Sequence, residues 1–207
     1  MSRWSPIERT LRAGGATLIA GVDEVGRGPL AGPVVACALV MPPGVRAIPG
    51  VADSKALSGA ERERLAKLIR TRAVALGLGA ASVREIARFN VYHATVLAMK
   101  RALAHLSVKA DAILIDGNPI RTLGLPHRAV VGGDARCYSV ACASIVAKVT
   151  RDRLMAALGT RHPQYGWGTN AGYGTRGHLA ALLAAGLCAH HRVQFCRTAL
   201  NEQLELG

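Results

Sequence analysis

Asp23 and Glu24 stand side by side where a short apolar run, Leu18 to Val22, comes to an end, and Gly26, Arg27 and Gly28 follow directly. Carboxylates at the exit of a buried strand, beside a glycine-flanked arginine, suggest a metal held next to a backbone that approaches a ligand closely. Two more acids occupy comparable places. Asp116 closes the apolar run Ala110 to Ile115, and Asp134 follows the short run His127 to Val131 through Gly132-Gly133. Strands that end at one edge of a sheet bring such distant residues together. Carboxylates a few ångströms apart resist joint ionisation unless a cation lies between them. Mg²⁺ and Mn²⁺ prefer oxygen ligands of this kind, and two such ions about 3.5–4 Å apart activate a water and stabilise a leaving oxygen. The chemistry indicated is metal-dependent phosphodiester hydrolysis. Glu24 joins the set only if the strand bends, because neighbouring strand residues point to opposite faces.

The charge balance names the partner class. Lys and Arg total 26 against 13 Asp and Glu, a formal net charge of +13, so the surface suits a polyanion, with nucleic acid the leading candidate. At 207 residues, half of them apolar, the chain is long enough for one domain with a sizeable core and is not disordered throughout. The most apolar stretch, Leu18 to Met41, is interrupted by Asp23, Glu24 and Arg27, which argues against a membrane span, and no secretory signal is evident. Five cysteines (Cys37, Cys137, Cys142, Cys188 and Cys196) are odd in number and never spaced as Cys-x-x-Cys. Reduced thiols in the cytoplasm are therefore expected, with Cys137 and Cys142 as packing residues.

The elements that must position the acids can be read in order. Residues 1–17 are expected to be a tail or a short helix, and residues 18–207 the catalytic domain, with its C-terminal helical region from about 160. Leu18 to Val22 and Val34 to Val40 flank a turn-rich loop, a β-hairpin with a long connection. Ser58, three residues before Glu61, predicts a capping box and a helix over 59–72. A close-packed third strand is expected over 73–81, one or two helical turns over 82–87 with Ser82 as cap, and a helix over 90–106. After the strands ending in Asp116 and near Asp134, an Ala-rich helix runs over 138–158, a loop over 162–173, and helices over 175–185 and 190–204. The result is an α/β fold, a five-stranded mixed sheet with helices on its faces. Tyr173 sits in the glycine-rich loop before the last helices, where core packing is its other role. Ser54 could cap and Lys55 touch a phosphate backbone, while Lys148 and Arg151 could meet phosphate or only solvate a helix face. The adjacent His190 and His191 are expected at the surface or in packing.

Taken together, these motifs resemble the type 2 ribonucleases H, the ribonuclease HII family. The resemblance is carried by Asp23-Glu24-Val-Gly26-Arg27-Gly28-Pro-Leu-Ala-Gly32-Pro33-Val, by Asp53-Ser54-Lys55-x-Leu57-Ser58, and by Asn90-x-x-x-Ala94-Thr95. It continues through Ile115-Asp116-Gly117-Asn118, Gly133-Asp134, Ala143-Ser144-Ile145-x-Ala147-Lys148-Val149-x-Arg151-Asp152, Tyr165-Gly166-Trp167, Gly172-Tyr173-Gly174-Thr175 and His178, in order along the chain after residue 17. It implies the ribonuclease H-like fold with a C-terminal helical extension. It also implies a metal-dependent endoribonuclease that cuts 5′ to a ribonucleotide in RNA–DNA hybrids and at single ribonucleotides in duplex DNA, leaving 3′-hydroxyl and 5′-phosphate ends. Such an enzyme works in ribonucleotide removal during DNA replication and repair. By motif, Asp23, Glu24, Asp116 and Asp134 would be the catalytic, metal-binding acids, with Mn²⁺ or Mg²⁺ as the ion. Gly26, Arg27 and Gly28 would read the 2′-hydroxyl, largely through backbone groups, and Tyr173 would stack on the next sugar. Ser54, Lys55 and Lys148 are further substrate-binding candidates. A monomer without a membrane partner is expected.

Four positions depart from the family pattern: Gly133 stands where a lysine is common, Ala171 where lysine is frequent, Gly177 where glutamate is usual, and Gln194 where the C-terminal His-Arg-x-Ser-Phe pattern, here His191-Arg192-Val193-Gln194-Phe195, has serine. The absent lysines bear on phosphate binding rather than on the four acids. A non-catalytic nucleic-acid binder of the same fold would gain nothing from clustered carboxylates. Another nuclease or integrase of this fold would have no use for Gly-Arg-Gly with a matching tyrosine.

Overall fold

The computed structural model describes residues 4–51, 54 and 57–205, with side chains up to residue 201. Lys55 therefore lies outside the described residues. Strands β1 (Ile19–Val25) and β2 (Val34–Val40) form the antiparallel hairpin, and β3 (Ala75–Ala81), β4 (Ala112–Asp116) and β5 (Arg128–Val130) complete a five-stranded sheet ordered β3-β2-β1-β4-β5. β1, β4 and β5 run parallel, so their C-terminal ends share one edge. α1 (Pro6–Ala13) precedes the sheet, α2 (Gly59–Arg72) follows β2, and α3 (Val83–Ala104) follows β3. After β5 come α4 (Gly133–Arg136), α5 (Tyr138–Arg161), α6 (Trp167–Asn170), α7 (Arg176–Ala185) and α8 (Val193–Glu205).

The period-2 alternation of the strands sorts the core into two layers. Cys37, Leu39 and Met41 pack with α2 and α5, whereas Val34, Ala36 and Ala38 pack with α3. A third cluster, with Trp167, Tyr165, Met155 and Leu182, joins the end of α5 to the C-terminal helices. Capping boxes start α2 and α3, as Ser58–Glu61 and Ser82–Glu85 lead one to expect. The helical turns at 82–87 and the helix from 90 are two parts of α3. Asn90 separates them with φ 65°, and its Oδ1 accepts the His93 N–H at 3.1 Å, restarting the helix.

The N-terminal segment is a packed helix. Ile7 and Leu11 of α1 cover Leu114 and Val140, and Glu8 is fully buried. Its carboxylate accepts the backbone N–H of Tyr138 at 3.1 Å and of Ser139 at 2.8 Å. α5 has no side-chain cap of its own, so Glu8 supplies one from 130 positions away, at the end where helix dipoles favour negative charge. Gly21 lets α5 lie directly on β1: a Cβ there would fall 2.2 Å from the Ser139 carbonyl carbon. No helix among the described residues is long and apolar enough to cross a membrane.

Candidate active site

Pairing between β1 and β2 continues unbroken through Val25, opposite Val35, so the side chains of β1 alternate to its end. Val22 belongs to the α3 layer and Val25 to the α5 layer. Asp23 accordingly faces α5 and Glu24 faces α3. Glu24 reaches the site from that opposite face all the same, since the charge of Asp116 is near enough to raise its carboxyl. On the other flank, Val22 is opposite Ile115 of the parallel β4, and the next step along both strands is Asp23 and Asp116. Neighbouring strands lie about 4.8 Å apart, so those two carboxylates start close together.

Asp116 Oδ1 accepts the Gly133 N–H at 2.6 Å, fastening the end of β4 to the turn that opens α4. A Cβ at Gly133 would sit 3.4 Å from that oxygen and 3.3 Å from Val140 Cγ1, a close contact that small shifts relieve, in keeping with the lysine common at this position. Asp134 follows at once, 7 % exposed, with Oδ1 accepting the Ala135 N–H at 2.9 Å. Glu24 and Asp116 share a cleft of about 380 Å³ with Arg27, Tyr92, Thr95 and Asn118.

Electrostatics mark Asp23 as the crowded centre. Burial pushes its carboxyl well above the ordinary aspartate range, and the charges of Glu24 and Asp116 push it further. The Ser144 hydroxyl and the Glu24 N–H, 2.8 Å from Oδ1, oppose the rise. Glu24 is raised too, by burial and by Asp116, while Arg27 at 3.2 Å from Oε1 pulls it down. A hard divalent cation would relieve this repulsion, and the donor chemistry fits Mg²⁺ or Mn²⁺. As the side chains stand, no group of three or more His, Cys, Asp or Glu among the described residues is arranged to hold a metal ion. Glu24 pairs with Arg27, whereas a carboxylate that accepts one N–H, as Asp116 does from Gly133, keeps lone pairs for a cation.

Arg27 and Gly28 are exposed on the loop after β1, and the Tyr173 ring stands beside them, its Cε1 4.0 Å from where a Gly28 Cβ would be. Tyr173 is 45 % exposed, which removes core packing as its role. Ser54 is a correction. It is buried, its hydroxyl 2.9 Å from that of Ser144, so burial keeps it from a substrate and places it behind Asp23 instead. Lys148 is partly buried and ion-paired to Asp152 at 2.8 Å, one turn further along α5. Arg151 also departs from expectation. Neither solvating a face nor open to phosphate, it is fully buried and donates to the carbonyls of Pro33, Ala171 and Ala31 at 2.9, 2.9 and 3.0 Å. Its helix faces the hairpin loop there, and Gly26 clears its path, since a Cβ would lie 2.1 Å from Arg151 Nε. Ser144, the missed link between Asp23 and Ser54, lies two turns before Arg151 on α5, a spacing visible only once the helix is laid against β1.

A family model described as Ribonuclease HII matches residues 20–198. The chain belongs to the ribonuclease HII family. It is 52 % identical over 196 residues to a ribonuclease HII of Granulibacter bethesdensis, covering 92 % of this chain and 88 % of that one. The fold matches the crystal structure of ribonuclease H2 from Pyrococcus horikoshii OT3 with TM-score 0.74 and 25 % identity, over 89 % of this chain and 98 % of that one. Bst-RNase HIII, solved in complex with Mn²⁺, has the same fold at TM-score 0.69 and 20 % identity, over 95 % of this chain and 73 % of its own. As a ribonuclease HII, the chain is an endoribonuclease, a hydrolase acting on RNA in RNA–DNA hybrids.

Proposed function

We propose that this chain hydrolyses the phosphodiester 5′ to a ribonucleotide, both in RNA–DNA hybrids and at a single ribonucleotide in duplex DNA, and so serves to remove ribonucleotides from DNA. The observation that carries the proposal is the juxtaposition at the end of β1. A buried, charge-crowded Asp23 lies beside Asp116 and only a few residues from a Gly-Arg-Gly segment whose Arg27 and Gly28 are exposed, with Tyr173 next to Gly28. Cutting chemistry and a sugar-reading surface are thereby joined by one short loop.

Asp23, Glu24, Asp116 and Asp134 would hold the divalent ions, Mn²⁺ or Mg²⁺. Bound there, the cations would supply activation of the attacking water and neutralisation of charge on the phosphate. The chain's own residues do the rest. Ser144, backed by Ser54, steadies the ionised form of Asp23. Gly26, Arg27 and Gly28 contact the 2′-hydroxyl, the chemical mark that separates a ribonucleotide from its neighbours. Tyr173 offers an exposed ring to the following sugar, and Lys148 turns from Asp152 to the phosphate backbone. Water attacks phosphorus, the bond from phosphorus to the upstream O3′ breaks, and the products carry a 3′-hydroxyl and a 5′-phosphate.

The test is incision of an end-labelled DNA duplex containing one ribonucleotide, with Mn²⁺, Mg²⁺ or chelator, by the wild-type chain and by Asp23→Asn. Metal-dependent incision immediately 5′ to the ribonucleotide, abolished in the variant, is expected. Binding without incision under either metal refutes the proposed chemistry. Cleavage confined to long RNA stretches refutes the reading of the Gly-Arg-Gly loop.

A further inference from the structure

Arg192 lies just before α8, far in sequence from the acids, yet it is 2 % exposed and aimed at the hairpin loop. Its Nη2 donates to the Gly26 carbonyl at 2.6 Å and the Gly32 carbonyl at 2.8 Å, Nη1 donates to the Arg27 carbonyl at 2.8 Å, and Nε to Gly32 at 3.0 Å. Its own backbone N–H donates to Leu30 at 2.8 Å, and the neighbouring His191 bridges Ala31. Every acceptor is a main-chain oxygen. Among the described residues no carboxylate pairs with Arg192, although burial and the nearby Arg151 both disfavour its charge. A buried cation held at that cost, with carbonyls as its only hydrogen-bond acceptors and the Phe195 ring 5.4 Å from its Cζ, serves the shape of the loop.

Peptide geometry turns this into a statement about reading. In a trans peptide the C=O of one residue and the N–H of the next point in opposite directions, and no cis bond occurs among the described residues. With the Gly26 and Arg27 carbonyls drawn inward to the guanidinium, the N–H groups of Arg27 and Gly28 point outward. Both residues are exposed, and neither N–H donates to an acceptor among the described residues. We infer that Arg192 is the positioning residue that aims the Arg27 and Gly28 N–H groups at the substrate sugar, so that a side chain of the C-terminal region sets how the loop recognises a 2′-hydroxyl. Arginine is required because one planar fork reaches three carbonyls at once; a lysine ammonium, a compact point charge, does not reproduce that geometry. The inference rests on the function proposed above.

The experiment uses the full chain and the variants Arg192→Lys and Arg192→Met. Binding to a duplex with one ribonucleotide and to the same duplex in all-DNA form is measured with chelator, alongside Tm and steady-state kcat and KM with Mn²⁺. Folded variants are expected to lose the preference for the ribonucleotide duplex while all-DNA affinity holds, and kcat/KM is expected to fall by about 10²-fold, the scale of a small misplacement of reacting groups. A preference and kcat/KM indistinguishable from wild type overturn the inference, as does an equal loss of affinity for both duplexes. If neither variant folds, amide NMR of the wild type decides. The Arg27 and Gly28 N–H signals must move on adding the ribonucleotide duplex and stay on adding all-DNA; otherwise the inference is wrong. Wild type that neither prefers nor cuts the ribonucleotide duplex removes the proposed function and this inference with it. Active wild type with an unaltered variant removes this inference alone.

Discussion

His178 and His191 face each other through their Nε2 atoms at 3.1 Å, and the surrounding donors fix which of them carries the proton. Trp167 Nε1–H donates to His178 Nε2 at 3.1 Å, so that nitrogen is an acceptor and His178 donates from Nδ1 to the Tyr173 carbonyl at 2.9 Å. His191 Nδ1 accepts the Cys188 N–H at 2.9 Å, which leaves its Nε2–H to point at His178. Both rings are neutral in this arrangement, and the chain from Trp167 ends on the backbone of Tyr173.

Acid should therefore loosen this corner. Burial first, then the neighbouring His178, pushes His191 down to about 4, and burial also lowers His178, below the ordinary histidine value near 6.5. The unfolded chain binds more protons than the folded one between those values, so this contribution to stability is whole above about pH 6.5 and is lost as pH falls toward 4. Thermal melts from pH 7.5 to 4.5 should show Tm falling, and the fall should be shallower in His191→Gln. An equal slope in the two proteins assigns the acid sensitivity elsewhere.

Asp23→Asn should separate stability from catalysis. Without metal, the charge of Asp23 is opposed by burial and by Glu24 and Asp116, so an amide of the same shape relieves strain. Calorimetry in chelator should show an unchanged or higher Tm, with a gain of about 1 kcal/mol appearing as roughly 2–4 °C. Cleavage should disappear. A large drop in Tm would show that the carboxylate is structurally required.

Glu8→Ala should weaken the whole domain, though it lies outside the cleft. It strips the Tyr138 and Ser139 N–H groups of their acceptor inside the core. Losing charged hydrogen bonds and stranding their donors costs about 2–4 kcal/mol, readable in urea unfolding, with Glu8→Gln intermediate. A change near zero would mean that water replaces the carboxylate.

Gly21→Ala should be worse than its size suggests. The added methyl would meet the backbone of Ser139, which no rotamer change can move, so α5 must lift from β1. About 3 kcal/mol of destabilisation is expected, with Ser144 carried away from Asp23 and activity falling more than stability alone explains. Retention of full activity would show that α5 has slack at this crossing.

Local signals were legible before any coordinates. Apolar strand runs, two serine–glutamate capping boxes and separate helical segments on either side of residues 88–89 each rest on residues a few positions apart, and each is found. Asp23 and Asp116 could be placed side by side from the sequence because both close strands that run parallel. Glu8, Ser144, Arg151 and Arg192 were not legible in their actual roles, because each acts on a partner more than a hundred positions away. Arginine in a strongly basic chain reads as surface; only the carbonyls around Arg151 and Arg192 show otherwise.

α5 carries Ser144 to the carboxylate end of β1 and, seven positions on, Arg151 to the loop that precedes β2. Seven residues of α-helix are two turns and about 10.5 Å, so a single rod gauges the separation between the buried carboxylate of Asp23 and the Gly26–Pro33 loop. Sequence change along that rod is tolerable, but change in its length is not. One residue added or removed between Ser144 and Arg151 would swing the guanidinium about 100° away from the loop. Over evolutionary time, insertions should collect in the connections around the sheet and be purged from this stretch.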